Sequence, residues 1–181
     1  MVYSNEKEQD MTKNEVKADA RVLDACCGSK MFYFDKNNRG VIFSDLRKES
    51  HILCDGRTLN INPDVQMDFT DIKYPDGRFK LVVFDPPHLD SLGEKSWMAL
   101  KYGVLKGNWK ETIRKGFSEC FRVLEADGIL IFKWSDVDIK VSDVIKLSSI
   151  PPLFGHRTMI NNRTIWLCFM NRRQSPDERK V

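Results

Sequence analysis

A short apolar run that ends in an acid and two prolines constrains the fold most strongly. Leu81-Val82-Val83-Phe84 is followed directly by Asp85-Pro86-Pro87-His88, called the 85–88 motif below. Proline fixes its own φ and offers no N–H to a sheet ladder, so a strand must end there. The Asp85 carboxylate and the carbonyls beside it are then held at the carboxyl edge of a sheet, where open α/β sheets bind ligands. Acceptors placed in this way suit the binding of an amino group.

Other apolar runs alternate with longer connections along the chain. An α/β fold follows from this alternation: a mostly parallel twisted sheet with helices on both faces and a C-terminal antiparallel hairpin. Asn108 with Glu111 forms a capping box and predicts the start of a helix that ends at Asp127-Gly128. Asp55-Gly56 predicts a hairpin where a helix would be expected. The predicted strands are residues 21–26, 41–44, 65–69, 81–84, 129–132, 153–159 and 164–170.

Composition is that of an ordinary soluble domain. The 181 residues are 41% hydrophobic and 30% charged, with a net charge of +3 that is compatible with nucleic acid as a partner. The five cysteines include no C-x-x-C pair, which favours reduced thiols and a cytoplasmic location. No apolar run predicts a membrane partner. We predict a flexible leader at residues 1–20, one folded domain at 21–170 and a polar tail at 171–181.

Two residues near the start of the domain predict a ligand site. Gly28 ends the first strand without a side chain, so a ligand can approach the backbone closely. Asp45 follows the second strand, 17 residues after Gly28, near the distance at which a dinucleotide fold places its ribose-binding acid. The alternatives are an ordinary strand-ending turn for Gly28 and a capping carboxylate for Asp45.

In their order, these motifs resemble those of the class I S-adenosylmethionine-dependent methyltransferases, over residues 21–170. Leu23-Asp24-Ala25-Cys26-Cys27-Gly28 is similar to their first motif. Asp45 resembles the acid that binds the ribose hydroxyls of the cofactor, and Asp68-Phe69 resembles the pair that contacts its adenine. The 85–88 motif resembles the (Asp/Asn)-Pro-Pro-(aromatic) motif of enzymes that methylate amino nitrogens. His88 departs from this motif, which has Tyr, Phe or Trp at that position.

The resemblance implies three groups of site residues, without a metal. The catalytic group is Asp85, Pro86, Pro87 and His88. The group that binds S-adenosyl-L-methionine is Asp24, Ala25, Cys26, Gly28, Lys30, Asp45, Leu46, Asp68 and Phe69. Lys133 and Trp134, after the fifth strand, are the predicted substrate contacts.

The reaction implied is methylation of an amino nitrogen, foremost that of adenine in DNA or RNA. The chain has little mass beyond the catalytic core for reading bases. That favours structured RNA, a loosely specific DNA enzyme, or a partner subunit that supplies recognition. A protein glutamine methyltransferase is the alternative, because the same acceptors fit a side-chain amide. A non-catalytic cofactor-binding subunit is a second alternative, motivated by His88.

Overall fold

The structure is a computed structural model that describes residues 17–89, 97–105, 107–157 and 163–172. Most of the predicted leader and tail, residues 1–16 and 173–181, lies outside the described residues. The strands are β1 Val22–Asp24, β2 Val41–Asp45, β3 Glu49–Ile52, β4 Thr58–Ile61, β5 Val65–Gln66, β6 Phe79–Phe84, β7 Leu124–Ser135, β8 Phe154–Arg157 and β9 Thr164–Met170. The helices are α1 Trp97–Tyr102, α2 Trp109–Val123 and α3 Val141–Val144, and a 3-10 helix, Ile145–Leu147, follows α3.

Seven strands form one sheet in the order β5-β2-β1-β6-β7-β9-β8. All neighbours from β5 to β7 are parallel, whereas β9 runs antiparallel to both β7 and β8. The predicted sheet and its C-terminal hairpin are therefore confirmed. From β1 the chain moves outward to β2 and β5 and then returns to β6 on the other side of β1. The strand order thus reverses between β1 and β6, which is where open sheets leave a crevice for a ligand.

Helix α2 covers one face of the sheet. It begins as predicted, because the Asn108 side chain accepts a hydrogen bond of 3.3 Å from the Glu111 backbone N–H. Gly116 lets the helix approach the sheet closely, since a Cβ there would lie 2.5 Å from Cζ of Phe84. The buried side chains of α2 that join the main core are Ile113, Phe117, Cys120, Phe121 and Val123.

The end of α2 differs from the prediction. The helix ends at Val123, and β7 begins at Leu124 rather than after Asp127-Gly128. Asn171 stabilises this junction, because its Nδ2 donates to the carbonyls of Phe121, Leu124 and Glu125 at 3.0 to 3.1 Å. Asn171 is 3% exposed and was wrongly assigned to the polar tail.

Turns rather than a helix cover the other face beside β1 and β2. Residues 25–40 form hydrogen-bonded turns and no helix, and the Tyr33 ring packs edge-on against Phe43 with ring centroids 4.7 Å apart. Between β2 and β5 the predicted hairpin is confirmed as β3 and β4, which pair antiparallel. The helix expected on this face is thus replaced by turns within residues 25–40. Among the described helices, none has the length and apolar character needed to span a bilayer.

Candidate active site

A cavity of about 600 Å³ opens at the carboxyl ends of β1, β2 and β6, and we call it the sheet-edge cavity. Its volume falls within the range of small-molecule and cofactor sites. Five segments meet there: the turn after β1, the end of β2, the stretch after β5, the 85–88 motif, and α1 with the loop after it. The predicted site residues that line it are Ala25, Cys26, Gly28, Asp45, Leu46, Asp68, Phe69, Asp85, Pro86, Pro87 and His88.

Gly28 and Asp45 are joined directly at one end of the cavity. The Gly28 N–H donates to Oδ2 of Asp45 at 2.9 Å, and Oδ1 of Asp45 accepts from the Arg47 N–H at 2.9 Å. The φ of Gly28 is +49°, which favours glycine over other residues at this turn. Since each carboxylate oxygen has two lone pairs, Asp45 can also accept hydrogen bonds from hydroxyl groups of a ligand.

Arg47 is a cavity residue that the sequence analysis missed. Its Nη1 donates to the Leu100 carbonyl of α1 at 2.8 Å, and its Nε lies 3.4 Å from Oδ1 of Asp45. The arginine therefore connects α1 to the end of β2. Its position two residues after a strand-ending acid was the available signal. Helix α1 was not predicted from the sequence either.

The segment after β5 contributes Asp68 and Phe69 to the same cavity. Oδ1 of Asp68 accepts from the Thr70 N–H at 2.8 Å and from the Thr70 hydroxyl at 2.9 Å. Phe69 packs edge-on against Phe84, with ring centroids 5.2 Å apart. The Asp68 side chain is therefore held by its own turn, and Phe69 presents a ring anchored to the core.

The 85–88 motif forms the opposite end of the cavity. Nζ of Lys133 on β7 donates to Oδ2 of Asp85 at 2.5 Å. Burial raises the pKa of the Asp85 carboxyl, and the Lys133 ammonium offsets part of that effect. Gly103, with a φ of +74°, packs on Pro87, where an added Cβ would lie 3.0 Å from Cγ. The loop after α1 can therefore close tightly over the motif.

Comparison with solved structures identifies the architecture. The 1,6-didemethyltoxoflavin-N1-methyltransferase of Burkholderia thailandensis, solved with 1,6-didemethyltoxoflavin and S-adenosylhomocysteine, matches 95% of this chain over 80% of its own, at 11% identity and a TM-score of 0.51. The N-methyltransferase NodS of Bradyrhizobium japonicum matches 95% of this chain over 99% of its own, at 11% identity and a TM-score of 0.50. The PH0226 protein of Pyrococcus horikoshii matches 93% of this chain over 92% of its own, at 15% identity and a TM-score of 0.51.

The chain has the Rossmann-like methyltransferase fold. At these identities the likeness extends to the fold alone. No protein-family model and no curated protein sequence matches the chain.

Within this methyltransferase fold, His88 is a buried, neutral side chain. It is 8% exposed, and its ring centroid lies 5.6 Å from that of Tyr102. Burial and the nearby Lys133 ammonium lower the pKa of His88 to about 4. The imidazole is therefore uncharged at neutral pH.

Two predicted site residues lie away from the cavity of this methyltransferase fold. The Trp134 side chain is fully buried, and its Nε1 donates to the Ile139 carbonyl at 2.9 Å. Nζ of Lys30 donates to the Lys36 carbonyl at 3.3 Å and lies 4.2 Å from the Phe43 ring centroid. Trp134 is thus a core residue rather than a substrate contact, and Lys30 is occupied by its own loop. Lys133 reaches Asp85 and is not part of the described lining.

Asp24 is also absent from the lining, because its side chain is completely buried. Oδ1 accepts from the Cys26 N–H at 3.1 Å, and the Tyr33 hydroxyl is near enough to the carboxyl to lower its pKa. Burial, with smaller contributions from the charges of Asp85 and Asp45, raises the pKa of Asp24 to about 7. No group of three or more His, Cys, Asp or Glu side chains in the described ranges is arranged to hold a metal ion.

The raised pKa predicts a pH-dependent difference in stability between the wild-type protein and Asp24→Asn. The folded protein holds the Asp24 proton up to about pH 7, whereas the unfolded chain releases it near the ordinary value of 3.8. The contribution of Asp24 to stability is therefore fully present below pH 3.8 and is lost as the pH rises through about 7. Between pH 5 and 8 we expect the free energy of unfolding of the wild-type protein, measured in urea, to fall by about 2–3 kcal/mol relative to that of Asp24→Asn. Parallel pH curves for the two proteins would contradict this assignment.

Proposed function

We propose that this protein is an S-adenosylmethionine-dependent methyltransferase that methylates an uncharged amino nitrogen, with adenine in nucleic acid as the first substrate. One observation carries the proposal: a single cavity joins the Gly28–Asp45 pair to the 85–88 motif. A nucleoside-binding acid and an amino-binding motif are needed together only where a nucleoside cofactor meets an amino substrate.

The residues at the first end fit the cofactor. A Cβ on Gly28 would meet nothing within 4 Å, so the turn leaves open space beside its backbone. Asp45 supplies acceptors for ribose hydroxyls, and Asp68 with Phe69 supplies a polar group and a ring for the adenine. S-adenosylmethionine would supply an electrophilic methyl group on a sulfonium. The S-adenosylhomocysteine in the Burkholderia structure, which shares the fold, supports this assignment.

The 85–88 motif would orient the nitrogen that accepts the methyl group. The lone pair of an aromatic amino group or an amide is delocalised, so such a nitrogen attacks poorly. Hydrogen bonds from its two N–H groups to the Asp85 carboxylate and to the Pro86 carbonyl would aim it at the methyl. The same acceptors stabilise the positive charge that develops on the nitrogen. Positioning and electrostatics are sufficient, and no covalent intermediate is required.

The side chains around the motif favour a planar, anionic substrate. His88 and Tyr102 supply rings on which a base can stack. Lys101, on α1, also lines the cavity. Lys101 lies 5.0 Å from the Tyr102 ring centroid, so a positive charge accompanies the stacking surface. Lys95 and Lys106 of the same segment lie outside the described residues. Glutamine in a protein is the second candidate substrate, because its amide fits the same two acceptors.

The hydrogen bond from Lys133 to Asp85 favours a different function, that of a non-catalytic cofactor-binding subunit. If that bond persisted in the presence of substrate and used all of the Asp85 carboxylate, no amino group could be held. The discriminating experiment measures transfer rather than binding.

The test is incubation of the protein with methyl-labelled S-adenosylmethionine and, separately, total DNA, RNA and protein fractions. Nucleoside and peptide mass spectrometry then locates the label. Label on N6 of adenine in DNA or RNA would support nucleic acid as the substrate. Label on glutamine would instead identify a protein as the substrate. Absence of label from every fraction, with cofactor binding detected by calorimetry, would replace the enzyme with the non-catalytic subunit.

A further inference from the structure

The partner of Asp85 is a side chain that the proposed reaction does not use. Lys133 lies on β7 beside the end of β6, and the Lys133 and Asp85 side chains are each 18% exposed. Asp85 lines the sheet-edge cavity, whereas Lys133 is not among its described lining residues. The ammonium therefore reaches the carboxylate from the neighbouring strand β7, beside the cavity-lining ring of Phe32. A buried ion pair in that position has to be explained, because removing two charges from water is costly.

Two aromatic rings hold the Lys133 ammonium in place. Nζ lies 5.6 Å from the Phe32 ring centroid and 5.8 Å from the Trp166 ring centroid. The two rings also contact each other edge to face, with centroids 5.4 Å apart. A cation within about 6 Å of a ring is attracted to its face. Lys133 thus has three partners: the Asp85 carboxylate and the two rings.

The pair changes the charge that a substrate meets. A lone carboxylate at the cavity would attract an alkylammonium ion, which is a lysine side chain or a simple amine at neutral pH. The Asp85–Lys133 pair has no net charge, yet the carboxylate can still accept a hydrogen bond, since each oxygen has two lone pairs. Such a site suits an N–H group on an uncharged molecule.

We propose that Lys133 is a positioning residue that holds Asp85 from the neighbouring strand and makes the acceptor site neutral, so that the site selects an uncharged amino or amide nitrogen over an ammonium ion. The inference rests on the proposed function, because it concerns the substrate class of the same site. It assigns Lys133 a role other than the substrate contact predicted from the sequence.

The first test measures the ionisation of the motif in the protein itself. The charged groups that act on Asp85 are Lys133 and buried Asp24. Those that act on His88 are Lys133 and Asp138. Lys133→Met keeps the apolar stem and removes the charge. We expect the pKa of Asp85, followed by carboxyl ¹³C NMR and assigned with Asp85→Asn, to rise by at least about one unit. The pKa of His88 should rise as well, and Lys133→Arg should restore both.

Lys146→Met is the matched control. It removes an equal charge from an exposed pair, in which Nζ lies 2.9 Å from Oδ1 of Asp143. The pKa of Asp85 and that of His88 should be unchanged in this variant. If Lys133→Met also leaves the pKa of Asp85 unchanged, the proposed role of Lys133 is refuted.

The second test measures selectivity with two small probes, adenosine and benzylamine. Their dissociation constants are measured by NMR on protein saturated with S-adenosylhomocysteine, at a pH above the Asp85 pKa found in the first test for each variant and below the pKa of the benzylamine ammonium. Loss of the Lys133 charge should improve benzylamine binding relative to adenosine by at least about tenfold, because a partly buried carboxylate is then unpaired. Lys133→Arg should behave like the wild type, and an unchanged ratio in Lys133→Met overturns the inference. Neither readout needs turnover, so loss of the proposed reaction and loss of this role are separate results.

Discussion

Asp85→Ala is expected to reduce methyl transfer by about 10²–10³-fold, the usual loss when one group that stabilises developing charge is removed. The variant lacks the carboxylate that holds the nucleophilic amino group. S-adenosylmethionine should bind with nearly unchanged affinity, because the Gly28–Asp45 pair lies at the other end of the cavity. Single-turnover transfer of labelled methyl groups and calorimetry of cofactor binding measure the two effects separately.

Two controls separate this chemical loss from damage to the fold. Asp85→Ala leaves the Lys133 ammonium buried without its partner, which costs stability. The double variant Asp85→Ala, Lys133→Met removes that unpaired charge and should still be inactive. Asp85→Asn retains an acceptor oxygen of similar size and should keep part of the activity. Wild-type transfer rates in Asp85→Ala would remove the proposed mechanism.

Asp45→Ala should weaken S-adenosylmethionine binding by about 10- to 100-fold. A hydrogen bond to a charged acceptor contributes about 1.5–3 kcal/mol, and the ribose offers two hydroxyl donors. The substitution also releases the Gly28 N–H and the Arg47 N–H, both of which Asp45 now accepts. The turn after β1 and the end of β2 would then lose their direct connection. Calorimetric titration of each variant with the cofactor measures the change.

Asp45→Asn separates ligand binding from the support of the turn. The asparagine retains one acceptor oxygen for a backbone N–H but lacks the negative charge, so affinity should be intermediate. Asp55→Ala is the control for the loss of a carboxylate, because Asp55 is exposed on the β3–β4 hairpin and pairs with Arg57. An unchanged dissociation constant in Asp45→Ala would refute the assigned role.

Features that depend on neighbours along the chain were predictable. Asn108 starts α2 because its side chain needs only the N–H three residues later. Asp55-Gly56 turns the β3–β4 hairpin for the same local reason, since a tight turn is decided by its own residues. Pro86 and Pro87 end β6 because a proline has no N–H for the ladder. The residues at the carboxyl ends of β1, β2 and β6 could therefore be named before the fold was known.

Contacts between distant segments could not be predicted. Lys133 and Asp85 are 48 positions apart, and Arg47 and the Leu100 carbonyl are 53 apart. Only the packing of β7 beside β6, and of α1 over β2, brings these groups together. Trp134 shows the same limit, because neighbouring residues on a strand point to opposite faces. Lys133 reaches the motif while Trp134 enters the core, although the sequence treats the two alike.

The amino-acid order by itself determined the end of β6, the two hairpins, the cap of α2 and the cavity residues at the carboxyl ends of β1, β2 and β6, since local geometry and the hydrophobic pattern set all of these. Tertiary structure alone decided the electrostatics. Burial raised the pKa of Asp24 to about 7 and lowered that of His88 to about 4, and the neighbouring strand gave Asp85 a cationic partner. Charge interactions act through space and depend on burial, and neither distance nor burial can be obtained from residue order.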